Sequence, residues 1–355
     1  MSGGTYSVFR VAYGVWLGVL LVGAALDAQV GSEGSVAASA AWFGALACLP
    51  FAAGLRDRVA ALLIAPAAVI AGGPEGLILS FLTIAPLVVH VALPRAPYGS
   101  LDAYGRPDPA GDFAFPEGLS FIVRALLVGA YGAVAVRAFA DPAGGTVAGP
   151  PAGFFPWAFV GAALAFFVLG ISRRYRGAGW AVMAVALVVR LVLVDDALGG
   201  PLLFAHLLAF DPALIPPLRI EGGERVFYDG NCGLCHRSVR FALAEDRSGD
   251  AFRFAPLHGE AFERELDADA ARGLPDSIVV VTPEGRVLVR SRAIFRMMDG
   301  LGGLWRGLAV LMRLIPRPIA DAAYDGVAAV RHRVFRRPVD VCPIIPKRLR
   351  SRFDT

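Results

Sequence analysis

Lysine is almost absent from this chain: Lys347 is the only one in 355 residues. Arginine carries the positive charge, a skew that belongs to an Ala/Gly/Arg-rich composition and marks no particular function. Cysteine is scarce as well, and four residues are too few for the disulfide framework of a small secreted domain. No glycine fingerprint between a strand and a helix and no P-loop occurs, so a nicotinamide cofactor and a nucleotide both lack support. Charge is sparse overall, at 18% of residues against 56% hydrophobic. With a mean hydropathy of +0.59, that is too apolar for a soluble protein of this length. The pI near 9.0 does not imply nucleic acid, because the basic residues flank apolar runs or lie in the tail.

The apolar residues concentrate before residue 218 and the charges after it, which predicts a membrane domain followed by a soluble one. Apolar runs cover about 7–27, 36–55, 59–72, 77–94, 118–140, 153–171, 178–194 and 200–217. A bilayer-crossing helix needs about 20 apolar residues. The third run is short and holds Pro66, and the eighth is broken by Asp211 and closed by Pro216-Pro217. The first run has no small-residue cleavage site behind it and reads as a retained span.

Residues 7–94 and 118–217 repeat an order of features: two spans, a basic turn, a span, Gly-Gly-Pro, a span. The turns are Arg56-Asp57-Arg58 and Arg173-Arg174-Tyr175-Arg176, and the punctuation is Gly72-Gly73-Pro74 and Gly199-Gly200-Pro201. His90 and His206 lie on the two closing arms, as hydrogen-bonded structural residues or, less expectedly, as haem or quinone ligands. Each half resembles the DoxX-type four-helix membrane unit. Arg190 deep in span seven could pair with Asp195 and Asp196, and Arg137 can reach outward to the interface. With eight spans and the N-terminus inside, the outer loops 28–35, 73–76, 141–152 and 195–199 hold no Lys or Arg. The positive-inside rule then puts residues 219–355 in the cytoplasm, below a prokaryotic-type cell membrane. If span eight fails to cross, the soluble domain faces outward.

The chemistry concentrates in Val226-Phe227-Tyr228-Asp229-Gly230-Asn231-Cys232-Gly233-Leu234-Cys235, an apolar strand, a turn, and a C-x-x-C pair opening an amphipathic helix. Unsatisfied amides and the positive dipole end of a helix favour thiolate. Thiol–disulfide exchange follows, with Cys232 attacking and Cys235 resolving one turn deeper. The alternative is half of a metal site. It would need ligands such as His236, His258 and Cys342, which form no recognised zinc spacing. Asp229 could tune proton transfer but serves more simply as a turn residue. His236 could steady a thiolate, although a solvated helix histidine is the plainer reading. Cys342 reads as a free thiol, and Cys48 as a small buried hydrophobe.

The run Tyr228-Asp229-Gly230-Asn231-Cys232-Gly233-Leu234-Cys235 resembles the signature of the DCC family of thiol–disulfide oxidoreductases. The likeness continues through Phe252-Arg253-Phe254-Ala255-Pro256-Leu257, Leu274-Pro275-Asp276-Ser277-Ile278-Val279-Val280 and Val289-Arg290-Ser291-Arg292-Ala293. It implies a thioredoxin-like fold and a redox dithiol, but no substrate. The pattern alone leads to the same order, β-α-β-α-β-β-α, with a hairpin at 278–290 and a following helix capped by Ser291. In such folds a cis-proline faces the dithiol. Pro275 holds that place, or is an ordinary strand-entry proline.

The expected architecture is therefore an α-helical polytopic bundle of about eight spans over 1–217 and a linker at 218–224. A thioredoxin-like α/β core follows at 225–300, then a helical extension and basic tail at 301–355. The expected function is membrane-anchored thiol–disulfide exchange with protein or small-molecule thiols and disulfides. The dithiol is its own redox group, a quinone being possible but unsupported, and neither a metal nor nucleic acid is expected. The alternative is a transport, channel or scaffold protein with a regulatory or degenerate thioredoxin-like module. The eight basic residues of 331–355, against two aspartates, could also lie on an anionic leaflet.

Overall fold

Eight helices form where the eight apolar runs lie, since each run is long, rich in alanine and leucine, and bounded by glycine, proline or charge. In the computed structural model they are α1 (Gly3–Val30), α2 (Gly34–Ala53), α3 (Asp57–Gly72), α4 (Leu77–Ala92), α5 (Glu117–Ala140), α6 (Phe154–Ile171), α7 (Arg176–Leu193) and α8 (Gly199–Leu208). The structure describes residues 1–30, 34–72, 77–140, 154–193, 198–219, 222–267, 271–335 and 346–354. Gly73, Pro74, Asp195, Asp196 and Cys342, all named above, lie outside the described residues, as does the side chain of Arg137. The chain divides into two compact units. The first holds Tyr6–Asp102 and Ala114–Leu214; the second holds Ser2–Thr5, Ala103–Phe113 and everything from Ile215 on.

In the first unit, α1, α2, α5 and α7 each carry a stretch long and apolar enough to cross a membrane, four helices among the described residues. Of the expected eight crossings, length and composition support these four among the described residues. The eighth run falls furthest short. Its helix has 10 residues, about 15 Å at 1.5 Å per residue, against a hydrocarbon core of about 30 Å. It stops early because Asp211 accepts the Ala213 N–H (3.0 Å) and turns the chain into the short Pro212–Leu214 helix. Pro66, by contrast, is absorbed within α3.

Burial in this unit runs opposite to that of a water-soluble bundle. Val19, Leu46, Leu49, Phe121 and Val192 are exposed, while Arg10, Tyr6, Tyr13 and His206 are fully enclosed. Arg10 pairs with Asp57 (3.3 Å), which lies 3.4 Å from His90 Nε2; the Tyr6 hydroxyl meets His90 Nδ1 at 2.6 Å. In the other half the Tyr131 hydroxyl meets His206 Nδ1 at 2.7 Å, and His206 Nε2 donates to the Trp180 carbonyl (3.0 Å). The repeat therefore extends to a contact: the opening helix of each half supplies a tyrosine to the histidine of its closing helix. His206 is hydrogen-bonded at both ring nitrogens, whereas His90 is hydrogen-bonded at Nδ1 and has the Asp57 carboxylate 3.4 Å from Nε2. The Arg190 guanidinium lies over the Phe159 ring, 5.5 Å from its centroid.

The second unit is a four-stranded mixed sheet with helices on both faces. Strands β1 (Glu224–Tyr228) and β2 (Phe252–Pro256) are parallel and joined by helix α9 (Gly233–Glu245). Helix α10 (Glu260–Glu265) leads to β3 (Val279–Val281), antiparallel to β1, and β4 (Val287–Val289), antiparallel to β3; the order across the sheet is β2-β1-β3-β4. Helices α11 (Arg290–Leu301), α12 (Gly303–Met312), α13 (Arg317–Val334) and α14 (Lys347–Arg350) follow.

Strand side chains alternate between faces, and β1 buries both. Val226 and Tyr228 join Phe252, Phe254 and Val280 under α9 and α11, while Phe227 joins Ala255, Val279 and Phe262 on the other side. The outer edge of β2 is covered by the chain end: the Phe254 N–H donates to the Arg352 carbonyl (2.8 Å) and the Asp354 N–H returns to Phe254 (2.9 Å).

Three expectations change here. Helix α10 has six residues instead of spanning 259–272, of which 268–270 lie outside the described residues. Helix α11 starts at Arg290, and the Ser291 hydroxyl donates to Asp321 on α13 (2.5 Å) instead of capping. The tail packs inward at Arg352, which is buried against Asp246 (2.6 Å) because a long basic side chain with a buried carboxylate in reach need not stay at a surface, while Lys347, Arg348 and Arg350 are exposed. Gly302 joins α11 to α12 at φ +68°, and a Cβ there would sit 2.6 Å from the Pro217 nitrogen. Gly302→Ala is expected to cost about 2–4 kcal/mol from left-handed strain and overpacking, measured as a lowered unfolding midpoint of the full chain.

Candidate active site: a closed dithiol under a C-terminal helix

Asp229 Oδ1 accepts the Asn231 N–H (2.8 Å) and its carbonyl accepts the Cys232 N–H (3.2 Å), so the aspartate builds the turn that delivers the first cysteine. Cys232 is the N-cap of α9, in extended conformation, and its carbonyl takes the His236 N–H (3.1 Å). Cys235 follows in the first helical turn. Both are free thiols and both are buried, Cys232 completely and Cys235 with 4% exposure.

Burial, then the hydrogen bond and charge of the neighbouring Cys232, push the Cys235 thiol up to about 12; Arg331 and a backbone hydrogen bond at Asp229 pull the other way. This raised value has a stability consequence. The folded thiol holds its proton above the ordinary value of 9.0, so its contribution is complete below about pH 9 and lost as pH rises toward about 12. Cys235→Ala is expected to flatten the alkaline fall in stability over that window, read by urea unfolding at stepped pH.

The other expected residues sort as follows. His236 is buried, not solvated: its Nε2 bonds the Gly230 carbonyl (2.8 Å) and its ring meets Tyr228 edge-on at 5.6 Å. An imidazole fixed on a carbonyl braces the turn before the dithiol. Pro275 is half-buried, and no peptide bond among the described residues is cis, so it has the strand-entry form. Its neighbour Asp276 matters more, because it holds Arg331.

Arg331, on α13, is the residue that reading the tail as basic misses. It is 2% exposed, bonds Asp276 through Oδ1 (2.5 Å) and the carbonyl (3.1 Å), and lies 3.8 Å from Asp229 Oδ2. Its charge acts on Cys235. Tyr324, two turns earlier, accepts the Ile278 N–H (3.0 Å), and burial raises its phenol so that it stays protonated. Tyr324, Val327, Ala328 and Arg331 follow the i, i+3, i+4, i+7 spacing of one helix face. An arginine closing an otherwise apolar stripe was the available signal. Among the described residues no cluster of His, Cys, Asp or Glu could hold a metal ion.

A buried C-x-x-C pair at a helix N-terminus beside a parallel β-α-β unit, with an arginine brought over it, defines a class of redox-dithiol domains. Residues 226–337 match the family model of DCC1-like thiol-disulfide oxidoreductases. An uncharacterized protein of Bacillus subtilis (strain 168), YuxK, is 30% identical over 132 residues, covering 36% of this chain and 91% of that protein. The chloroplastic DCC family protein At1g52590 of Arabidopsis thaliana is 29% identical over 119 residues, 34% of this chain and 68% of its own length. The chain belongs to the DCC1-like family. No solved structure matches it.

Proposed function

We propose that this protein is a membrane-anchored thiol–disulfide oxidoreductase of thioredoxin-like fold. The supporting observation is the Cys232–Cys235 pair at the start of α9, with Arg331 beside it. In the exchange, the Cys232 thiolate attacks one sulfur of a substrate disulfide and the other sulfur leaves as a thiolate. Cys235 then attacks Cys232, closing the ring disulfide and releasing the reduced substrate. The reverse sequence oxidises a substrate dithiol. Both sulfurs are covered, so exchange with a macromolecule begins with an opening of that cover.

The fold reading rests on the element order β-α-β-α-β-β-α and the strand order β2-β1-β3-β4. The anchoring reading rests on four apolar helices with lipid-compatible outer faces. A cytoplasmic dithiol is the reading in which all eight apolar helices cross, so that the arginine-free loops 28–35, 73–76, 141–152 and 195–199 lie outside. It is further supported by Ser2–Thr5, Ala103–Phe113 and the stretch from Ile215 on folding as one unit, since segments of one unit share a side of a bilayer.

The test is a glutathione redox titration of the full chain, followed by intact mass. The expected result is a reversible two-electron transition lost in either cysteine variant. A pair of C-terminal reporters, one active only inside and one only outside the cell, checks the side. An outside signal reverses the topology and, with it, the redox pool that the dithiol meets.

A further inference from the structure

Cys235 forms part of the wall of a cavity of about 380 Å³ enclosed by α9, α11, α12 and α13. That volume lies within the range of small-molecule sites. The walls are apolar, among them Ile278, Phe295, Ile319 and Ala323, and the polar groups at the sulfur end include the Tyr324 hydroxyl and the Arg331 guanidinium. The mouth is apolar too: Ile315, Ile319 and Val327 line it and are themselves exposed, and Leu311 and Leu314 nearby in the chain are also bare. An opening of this kind disfavours the entry of charged or hydrated molecules such as glutathione, which reach the dithiol only when its cover opens. A folded protein cannot bring a disulfide to a sulfur with 4% exposure through it, whereas a flat apolar molecule can reach Cys235 directly.

We infer that this cavity binds a lipophilic quinone, which accepts electrons from the dithiol through Cys235. The inference rests on the redox reading above and gives the dithiol its small-molecule partner. Arg331 and the Tyr324 O–H are hydrogen-bond donors of the kind that a quinone carbonyl needs, at the end of the cavity where the sulfur lies. The Cys235 sulfur adds to a ring carbon and the electron pair moves to a ring oxygen. The Cys232 thiolate then attacks the Cys235 sulfur, the S–S bond forms, and the S–C bond breaks with its pair returned to the ring. The two thiol protons finish on the two ring oxygens. One dithiol and one quinone give one disulfide and one hydroquinone.

The experiment uses the full chain, reduced, freed of reductant and kept anaerobic in nanodiscs, with decylubiquinone or a small hydrophilic disulfide as oxidant. Quinone loss is followed by absorbance and the thiols by mass. The expected result is one quinone reduced per cysteine pair. Ala323→Trp, which fills the cavity, is expected to slow the quinone about tenfold more than the hydrophilic disulfide, equivalent to about 1.4 kcal/mol. Ile319→Gln, at the exposed mouth where folding is not at risk, should shift the same ratio in the same direction. Oxidation by the hydrophilic disulfide without any by quinone overturns the inference and leaves the redox reading intact. Inertness to both overturns both. Equal slowing of the two oxidants by the variants means that the cavity is not the route. Consumption of an apolar peptide disulfide in place of the quinone, sensitive to Ala323→Trp, makes the occupant a protein segment and also overturns the assignment.

Discussion

Cys232→Ser is expected to reduce disulfide exchange to background, a loss of about a thousandfold or more, because a serine hydroxyl at neutral pH supplies almost no nucleophile. Cys235→Ser should behave differently. It keeps the first attack and removes the second, so the mixed disulfide accumulates and can be seen by intact mass or on a non-reducing gel. The reason lies in the helix. Cys232 is the N-cap, nearest the unpaired amides and the positive dipole end, whereas burial and Cys232 itself push the Cys235 thiol up to about 12. Trapping by Cys232→Ser and none by Cys235→Ser would reverse the assigned order. Alkylation of neither thiol faster than Cys342 would sink the redox assignment.

Arg331→Leu is expected to have the second largest effect, on reactivity as well as on stability. The guanidinium is enclosed, bound to Asp276 and near Asp229, and its charge favours the thiolate of Cys235. Removing a cation raises a thiol, so the thiolate fraction at a given pH falls and the alkylation profile moves to higher pH. A shift of one unit corresponds to about a tenfold slower reaction below the pKa. The Asp276 carboxylate is itself exposed, so loss of these charged hydrogen bonds should cost about 1.5–3 kcal/mol in unfolding free energy. Arg331→Lys separates the two effects: it restores charge without the two-pronged contact to Asp276, so it should recover most of the pH profile and only part of the stability. A profile unchanged in Arg331→Leu would limit the arginine to a structural role.

The cysteine pair and its turn were legible in the sequence because their requirements are local. A strand, an Asx turn and two cysteines one helical turn apart occupy ten consecutive residues, and the structure keeps them as a strand end, an Asp229 turn, an N-cap and a first turn. The same holds for the strands 225–228 and 252–254 and for helix 233–245, whose apolar spacing allows one answer. Span count was less legible, because hydropathy counts apolar residues while crossing also needs helical length, and Asp211 ends the eighth segment at the turn it organises. His236 was misread as solvated because its carbonyl partner and Tyr228 meet it only in the folded turn.

By itself, then, the amino-acid order determined the division into apolar and charged parts and the place of the cysteine pair at a helix start, both of which depend on composition or on neighbours within a turn or two. Tertiary structure decided what surrounds the sulfurs. Arg331 lies 96 residues beyond Cys235 in the chain, and it reaches the dithiol because α13 packs back over α9 and α11, pinned by Ser291 on Asp321 and by Ile278 on Tyr324. The cavity at Cys235 has the same origin: four helices from distant parts of the second unit leave it between them, and close packing between remote segments has no local signature to read.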